Sequence, residues 1–263
     1  MSSALVGGIE IAYEDVGHGA ALVLVHGHPF DRSMWRTQIE AFGGDWRVVA
    51  PDLRGYGGST VVPGRTMLEV FARDLAGLLD HLRLGRVVIG GLSMGGQIVM
   101  EFFRLFPERV LGLVLAATFA EAETAAGRKA RSDAADRLLR EGMGPYADEV
   151  LPRMVAPANI EALPAVAEHV LRMMRSANPE GAAAALRGRA ERPDYVELLS
   201  RVDVPALVVV GTEDEFTPVR DAETMHAQMR DSTLVVIEGA GHMPNLERAD
   251  EFNVALRRFL DSL

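Results

Sequence analysis

The stretch VVIGGLSMGG, Val87 to Gly96, decides how the rest of the chain is read. Val87 to Gly90 is an apolar run of strand length, and Met94 to Leu105 is apolar nearly all round, as in a buried helix. Between them, Gly91-Leu92-Ser93-Met94-Gly95 fits the pattern G-x-S-x-G. That pattern belongs to a tight strand-to-helix turn, where small residues let two backbones pass closely. The turn lifts the Ser93 hydroxyl clear of the sheet and brings the Met94 N–H to where an oxyanion would form on an attacked carbonyl. A glycine- and serine-rich turn without chemistry also matches the pentapeptide; the flanking strand and helix favour a nucleophile.

Outward from this turn, strands and helices alternate. Ile9–Tyr13, Ala21–Val25, Arg47–Ala50, Val110–Ala116, Ala206–Val210 and Thr233–Ile237 read as further strands. Most are apolar at every position, the mark of strands covered on both faces of a parallel sheet. Met67–Leu82 carries Leu68, Phe71, Leu75, Leu78, Leu79 and Leu82 on one helical face, and Phe252, Leu256, Phe259 and Leu260 mark a last amphipathic helix. The alternation predicts an α/β fold with a mostly parallel, doubly wound sheet.

Phe119 to Leu199 breaks the pattern. It is rich in Ala, Arg, Glu and Met at helical spacing and is cut by Pro152, Pro157, Pro164, Pro179 and Pro193. The expected organisation is a core of residues 1–118 and 200–263 with a helical insertion, 119–199, between two core strands.

A serine nucleophile needs a base. His242 lies in Gly239-Ala240-Gly241-His242-Met243-Pro244, on a glycine-rich loop after the last strand, where it can reach inward. The acid that orients it should follow the preceding strand. Glu213, Asp214 and Glu215 compete there, and the spacing G-x-x-D-x-x-x-P to Pro218 favours Asp214. The loop His26-Gly27-His28-Pro29-Phe30-Asp31 follows the strand Ala21–Val25; the second oxyanion donor is assigned to the Phe30 N–H, beside that of Met94. His26-x-His28 has chelating spacing, but no partner ligand is placed for it, so no metal is expected. His26, Asp52 and Arg54 read as loop braces, and the role of His28 is left open.

Composition narrows the function classes. Of 263 residues 48% are apolar and 24% charged, enough for a sizeable buried core. A net charge of −10 argues against nucleic acid and favours a small neutral substrate. With no cysteine, disulfides and thiolate chemistry are excluded. Met1 to Val6 lack a signal-like n-region, and no apolar run approaches the roughly 20 residues of a membrane span, so a cytoplasmic protein without membrane partners is expected.

Taken together, the elbow at Ser93, the loops of Asp214 and His242, and the His26-Gly27-His28-Pro29 turn resemble the α/β-hydrolase family along essentially the whole chain. The likeness is strongest to capped bacterial serine carboxylesterases, including the cap phrases Asn178-Pro179-Glu180-Gly181 and Ala190-Glu191-Arg192-Pro193-Asp194. Those loops usually carry Phe and an aliphatic residue where this chain has His28 and Phe30. The resemblance implies a catalytic triad of Ser93, Asp214 and His242 and an oxyanion hole of Phe30 and Met94. It implies a helical cap, no cofactor, and hydrolysis of short-chain or aryl esters by a monomer or homodimer. Enol-lactonases and cofactor-free haloperoxidases (perhydrolases) share this equipment, and a non-catalytic small-molecule receptor on the same fold is the alternative of another class. Trp35, Phe119, Met143, Tyr146, Met154 and Met174 are the expected walls of a mostly apolar pocket.

Overall fold

The computed structural model describes residues 2–263. Eight strands form one sheet: β1 (Ser2–Val6), β2 (Ile9–Val16), β3 (Ala21–Val25), β4 (Arg47–Pro51), β5 (Val87–Leu92), β6 (Val110–Ala116), β7 (Ala206–Gly211) and β8 (Ser232–Ile237). Their spatial order is β1-β2-β4-β3-β5-β6-β7-β8. The β1–β2 and β2–β4 pairs are antiparallel and all the others parallel. The helices are α1 (Arg36–Phe42), α2 (Leu68–His81), α3 (Met94–Leu105), α4 (Ala125–Glu141), α5 (Met143–Met154), α6 (Pro157–Ala162), α7 (Pro164–Ser176), α8 (Pro179–Arg189), α9 (Val196–Leu199), α10 (Val219–Gln228), α11 (Pro244–Glu247) and α12 (Ala249–Leu260).

The unbroken apolar runs follow from two-sided burial. In β3, Val23 and Val25 pack with Phe71 and Leu75 of α2 and Ile98 of α3 in one core cluster. Leu22 and Leu24, on the opposite face, pack with Ile39 and Phe42 of α1 and Phe252 and Leu256 of α12 in a second. Because side chains alternate across a strand, every position must be apolar to fill both layers. β8 departs from this expectation. It is an edge strand, only partly buried, with Val236 exposed. β1 was not legible in the sequence because only Ala4 and Val6 of its five residues are buried.

All residues between β6 and β7 are helical or irregular, and α4 to α9 lie there. Within this segment α4 packs on α8 and α5 on α7. A main-chain bond ties it to the core, Thr66 N–H donating to Ala184 O at 2.9 Å, and another joins its two ends, Tyr195 N–H donating to Ala120 O at 2.8 Å. No helix among the described residues is long and apolar enough to cross a membrane.

Candidate active site

β5, β7 and β8 deliver their following loops to the same end of the sheet, the C-terminal edge where α/β folds place ligands. Ser93 joins β5 to α3 with φ 57° and ψ −117°. A positive φ is costly for a residue with a Cβ, on the order of 1–3 kcal/mol, and persists only where the surroundings enforce it. They do so here. Ser93 N–H donates to Ala116 O at 2.9 Å, and Thr118 Oγ1 donates to Ser93 O at 2.7 Å. Gly95 must be glycine, since a Cβ there would lie 2.2 Å from Val25 O. Met94 opens α3, so its N–H has no acceptor within the helix.

His242 and Asp214 are both buried, and their loops meet. His242 Nδ1 lies 2.8 Å from Asp214 Oδ2 and 3.0 Å from Oδ1. The carboxylate also accepts from Phe216 N–H at 2.8 Å, Thr217 N–H at 3.0 Å and the Thr217 hydroxyl at 2.5 Å. Burial pushes the Asp214 carboxyl up, but His242 and the Thr217 donors outweigh it and hold the group below its ordinary range. Glu213 and Glu215 make no contact with His242; Glu215 pairs with Arg153 at the surface, 3.3 Å away. The Phe216 ring stands 5.1 Å from the His242 ring, centroid to centroid.

Glu247 was not singled out in the sequence, yet it anchors the histidine loop. Its buried carboxylate accepts from Gly241 N–H at 3.0 Å and Met243 N–H at 3.1 Å, the residues on either side of His242. It also accepts from Ala156 N–H at 2.9 Å and Asn159 Nδ2 at 2.7 Å, so the helical segment and the histidine loop share one carboxylate. The legible signal was a glutamate five residues past His242.

The other loop residues fall into two groups. His26 is fully buried and donates from Nδ1 to Gly27 O at 2.8 Å while accepting Leu53 N–H at Nε2, 2.9 Å, so both nitrogens are spent on loop bracing. Asp52 accepts from Arg32 N–H and Gly58 N–H at 2.8 and 2.7 Å, and Arg54 forms a bidentate pair with Asp74, both bonds 2.7 Å. Phe30 requires a correction. Its N–H already donates to Gly27 O at 3.1 Å, closing the turn, and its side chain is packed in the core. It is therefore not a free donor. The residue of this loop that lines a cavity together with Ser93 is His28. The preceding Gly27 is so close to the elbow that a Cβ there would lie 3.3 Å from Ser93 Cβ.

Ser93, His242, His28 and Thr217 floor a cavity of about 150 Å³. The Ser93 hydroxyl makes no hydrogen bond with His242 among the described residues; such pairs commonly close up only around the reacting group. Arg131, Tyr146, Met154, Leu186 and Arg189 roof it from the helical segment, with Phe119 and Phe216 at the sides. A larger hollow, about 510 Å³ between α1 and α12, is a shallow surface groove that contains none of the residues above. Of the expected walls, Phe119, Tyr146 and Met154 line the cavity, whereas Trp35, Met143 and Met174 are packed in the core clusters. The expectation of a mostly apolar pocket is also corrected. Two arginines and two histidines face the cavity. Burial, then Arg189 and Arg131, lower the His28 pKa well below its usual value.

A model of the alpha/beta hydrolase family matches residues 22–255. The chain is 32% identical to 3-oxoadipate enol-lactonase 2 of Acinetobacter baylyi, over 90% of its own length and 86% of that protein's. Among solved structures, it superposes on a thermophilic esterase from Thermogutta terrifontis, bound to malate, with a TM-score of 0.96 and 41% identity, covering 99% of this chain and 98% of that one. An enol-lactonase from Burkholderia xenovorans superposes with a TM-score of 0.92 and 29% identity, covering 99% of this chain and all of that one (100%).

Two outcomes follow from the geometry. Asp214 has a depressed folded-state pKa, so the stability it lends is full above the unfolded carboxylate value, about 4, and is lost as pH falls through the lower folded value. In urea denaturation, the stability gap between wild type and Asp214→Asn should be widest near neutrality and narrow below about pH 4; a gap that widens on acidification contradicts this. Glu247→Gln replaces one acceptor oxygen by a donor facing backbone N–H groups. It should lower unfolding free energy by about 1–3 kcal/mol, and unchanged stability would refute the anchoring role.

Proposed function

Since the chain belongs to the alpha/beta hydrolase family, we propose that it is a serine hydrolase that cleaves carboxylic esters through an acyl-Ser93 intermediate. The observation that carries this reading is the shared cavity. A strained, enforced serine at a helix N-terminus faces the same small space as a histidine whose far nitrogen is held by a buried, ionised carboxylate. Esterase and enol-lactonase relatives add weight to ester-type acyl chemistry.

In this reading His242 Nε2 takes the Ser93 proton as Oγ attacks the ester carbonyl. Asp214 keeps the proton on Nδ1 and stabilises the imidazolium that forms. The carbonyl oxygen, now an oxyanion, receives the Met94 N–H and the His28 N–H, in place of the Phe30 N–H that the turn consumes. Each such donor contributes about 3 kcal/mol to transition-state stabilisation in related chemistry. His242 then passes its proton to the leaving alkoxide. A water molecule, deprotonated by His242, attacks the acyl carbon, and the second tetrahedral intermediate collapses to release the acid and restore Ser93. Residues 119–199 act as the cap over a core of 1–118 and 200–263, and its arginines and aromatics decide which acyl groups fit.

A lactonase is the second reading, favoured by the enol-lactonase relatives. The steps are the same, with the leaving alkoxide tethered to the acyl group. Peroxide in place of the deacylating water would make the enzyme a perhydrolase. Assay of short alkyl esters beside a lactone panel, with and without peroxide, separates the three. We expect ester kcat/KM to exceed lactone kcat/KM, with Ser93→Ala lowering it by at least about 10⁴-fold. A lactone preference of several orders of magnitude would overturn the ester reading. No turnover of any ester or lactone by wild type would favour a non-catalytic receptor.

A further inference from the structure

The roof of the cavity carries a cation that no carboxylate among the described residues contacts. Arg189 ends α8 and is only 7% exposed, yet its guanidinium lines the cavity. Its one hydrogen bond is from Nε to Gln97 Oε1, at 2.7 Å, and no carboxylate pairs with it among the described residues. Three arginines gather here around one carboxylate. Glu123 pairs with Arg131 and accepts from Arg192 at 2.8 Å, which holds its pKa at about 2 against the upward push of burial. Glu123 is thus already shared, and Arg189 is left over. An unpaired buried charge is strongly unfavourable, and arginine does not escape by losing its proton. Leu or Met in that place would cost the fold nothing of this kind. The terminal guanidinium nitrogens make no hydrogen bond within the protein, and the residue lines the cavity.

A second polar atom points the same way. His28 Nδ1 is 2.7 Å from the Tyr56 hydroxyl, whereas its Nε2 is buried with no hydrogen-bond partner. His28 and Arg189 line the same 150 Å³. Two unsatisfied polar groups in so small a space imply a polar ligand, and the cationic one fixes its sign. The preference is local, because the chain as a whole carries a net charge of −10 and would repel anions.

We propose that the acyl group this site accepts bears a free carboxylate, received by the Arg189 guanidinium in a bidentate pair. Arg131 adds positive potential, and His28 Nε2 makes a second polar contact. The size of the cavity limits the acyl chain. Gln97, which holds Arg189, lies one turn along α3 from Ser93, and Arg189 and Ser93 line the same space. A cavity of about 150 Å³ has room for the acyl part of a four- or five-carbon dicarboxylic acid and little more. The substrate class is a half-ester of such an acid. This specificity rests on the hydrolase reading for its chemistry but not for its binding.

The test compares monomethyl succinate with methyl 4-oxopentanoate, a neutral near-isostere in which a methyl ketone replaces the carboxylate. Hydrolysis is followed by pH-stat, and succinate binding to Ser93→Ala by thermal shift. We expect wild type to prefer the charged ester by at least about tenfold in kcat/KM. Arg189→Met should cut that ratio by about tenfold or more, and Arg189→Lys, which keeps the charge, by less. Succinate should raise the Tm of Ser93→Ala and not that of Ser93→Ala/Arg189→Met. Should Arg189→Met not fold, the Arg189→Lys ratio and the wild-type ratio decide the matter. Equal or faster turnover of the neutral ester by wild type overturns the inference and leaves the hydrolase reading standing. Arg189-dependent succinate binding with no turnover of either ester supports the inference and counts against the hydrolase reading.

Discussion

The site depends on the backbone of one residue. Ser93 is held at φ 57° between β5 and α3, and its N–H and C=O are both tied down, to Ala116 and by Thr118. The sheet and helix together bear the cost of that conformation. α3 is buried along nearly its whole length, and β5 lies between β3 and β6 in the middle of the sheet. Neither element can shift to relax the turn without opening the core. The strain is therefore a positional device: the hydroxyl stands proud of the sheet, beside the unsatisfied N–H groups of the first turn of α3. The Asp214 and His242 loops follow neighbouring strands β7 and β8, which brings a carboxylate and an imidazole to the same edge without any long-range search.

Much of this was legible because it is written locally. The elbow needs its glycines at fixed offsets from Ser93, and the two-faced sheet needs apolar residues at consecutive positions in β3, β5, β6 and β7. Asp214 stood out from Glu213 and Glu215 by its spacing to Pro218, and the structure makes it the carboxylate that touches His242. What failed to show were features fixed by contacts between distant segments. Whether Phe30 or His28 has a free N–H depends on a turn hydrogen bond to Gly27, which residue identity does not reveal. Glu247 is an ordinary glutamate until the Ala156 and Asn159 donors, some ninety residues earlier, are packed against it. β1 shows no strand pattern because an edge strand buries only two of its five side chains.

The pocket's charge was missed for the same reason, and it matters more. Arginines are frequent along the helical segment, and several serve in surface pairs such as Arg137 with Glu141 and Arg175 with Asp148. Only the packing of α4 on α8 shows that Arg131 and Arg189 point inward. Overall composition pointed to a neutral substrate, but a net charge averages over a surface the substrate never meets. Inside a small, largely buried cavity one unpaired guanidinium outweighs it, because charges interact more strongly away from bulk water. In the proposed reading, the core supplies the acyl-transfer equipment and the helical segment supplies selectivity.

The central claim is that Ser93 becomes covalently acylated. Incubation with a fluorophosphonate, followed by intact mass spectrometry and peptide mapping, tests it most directly. The account predicts one adduct per chain, located on Ser93, absent from Ser93→Ala and formed far more slowly by His242→Ala. Labelling at another residue, or undiminished labelling of Ser93→Ala, would contradict it.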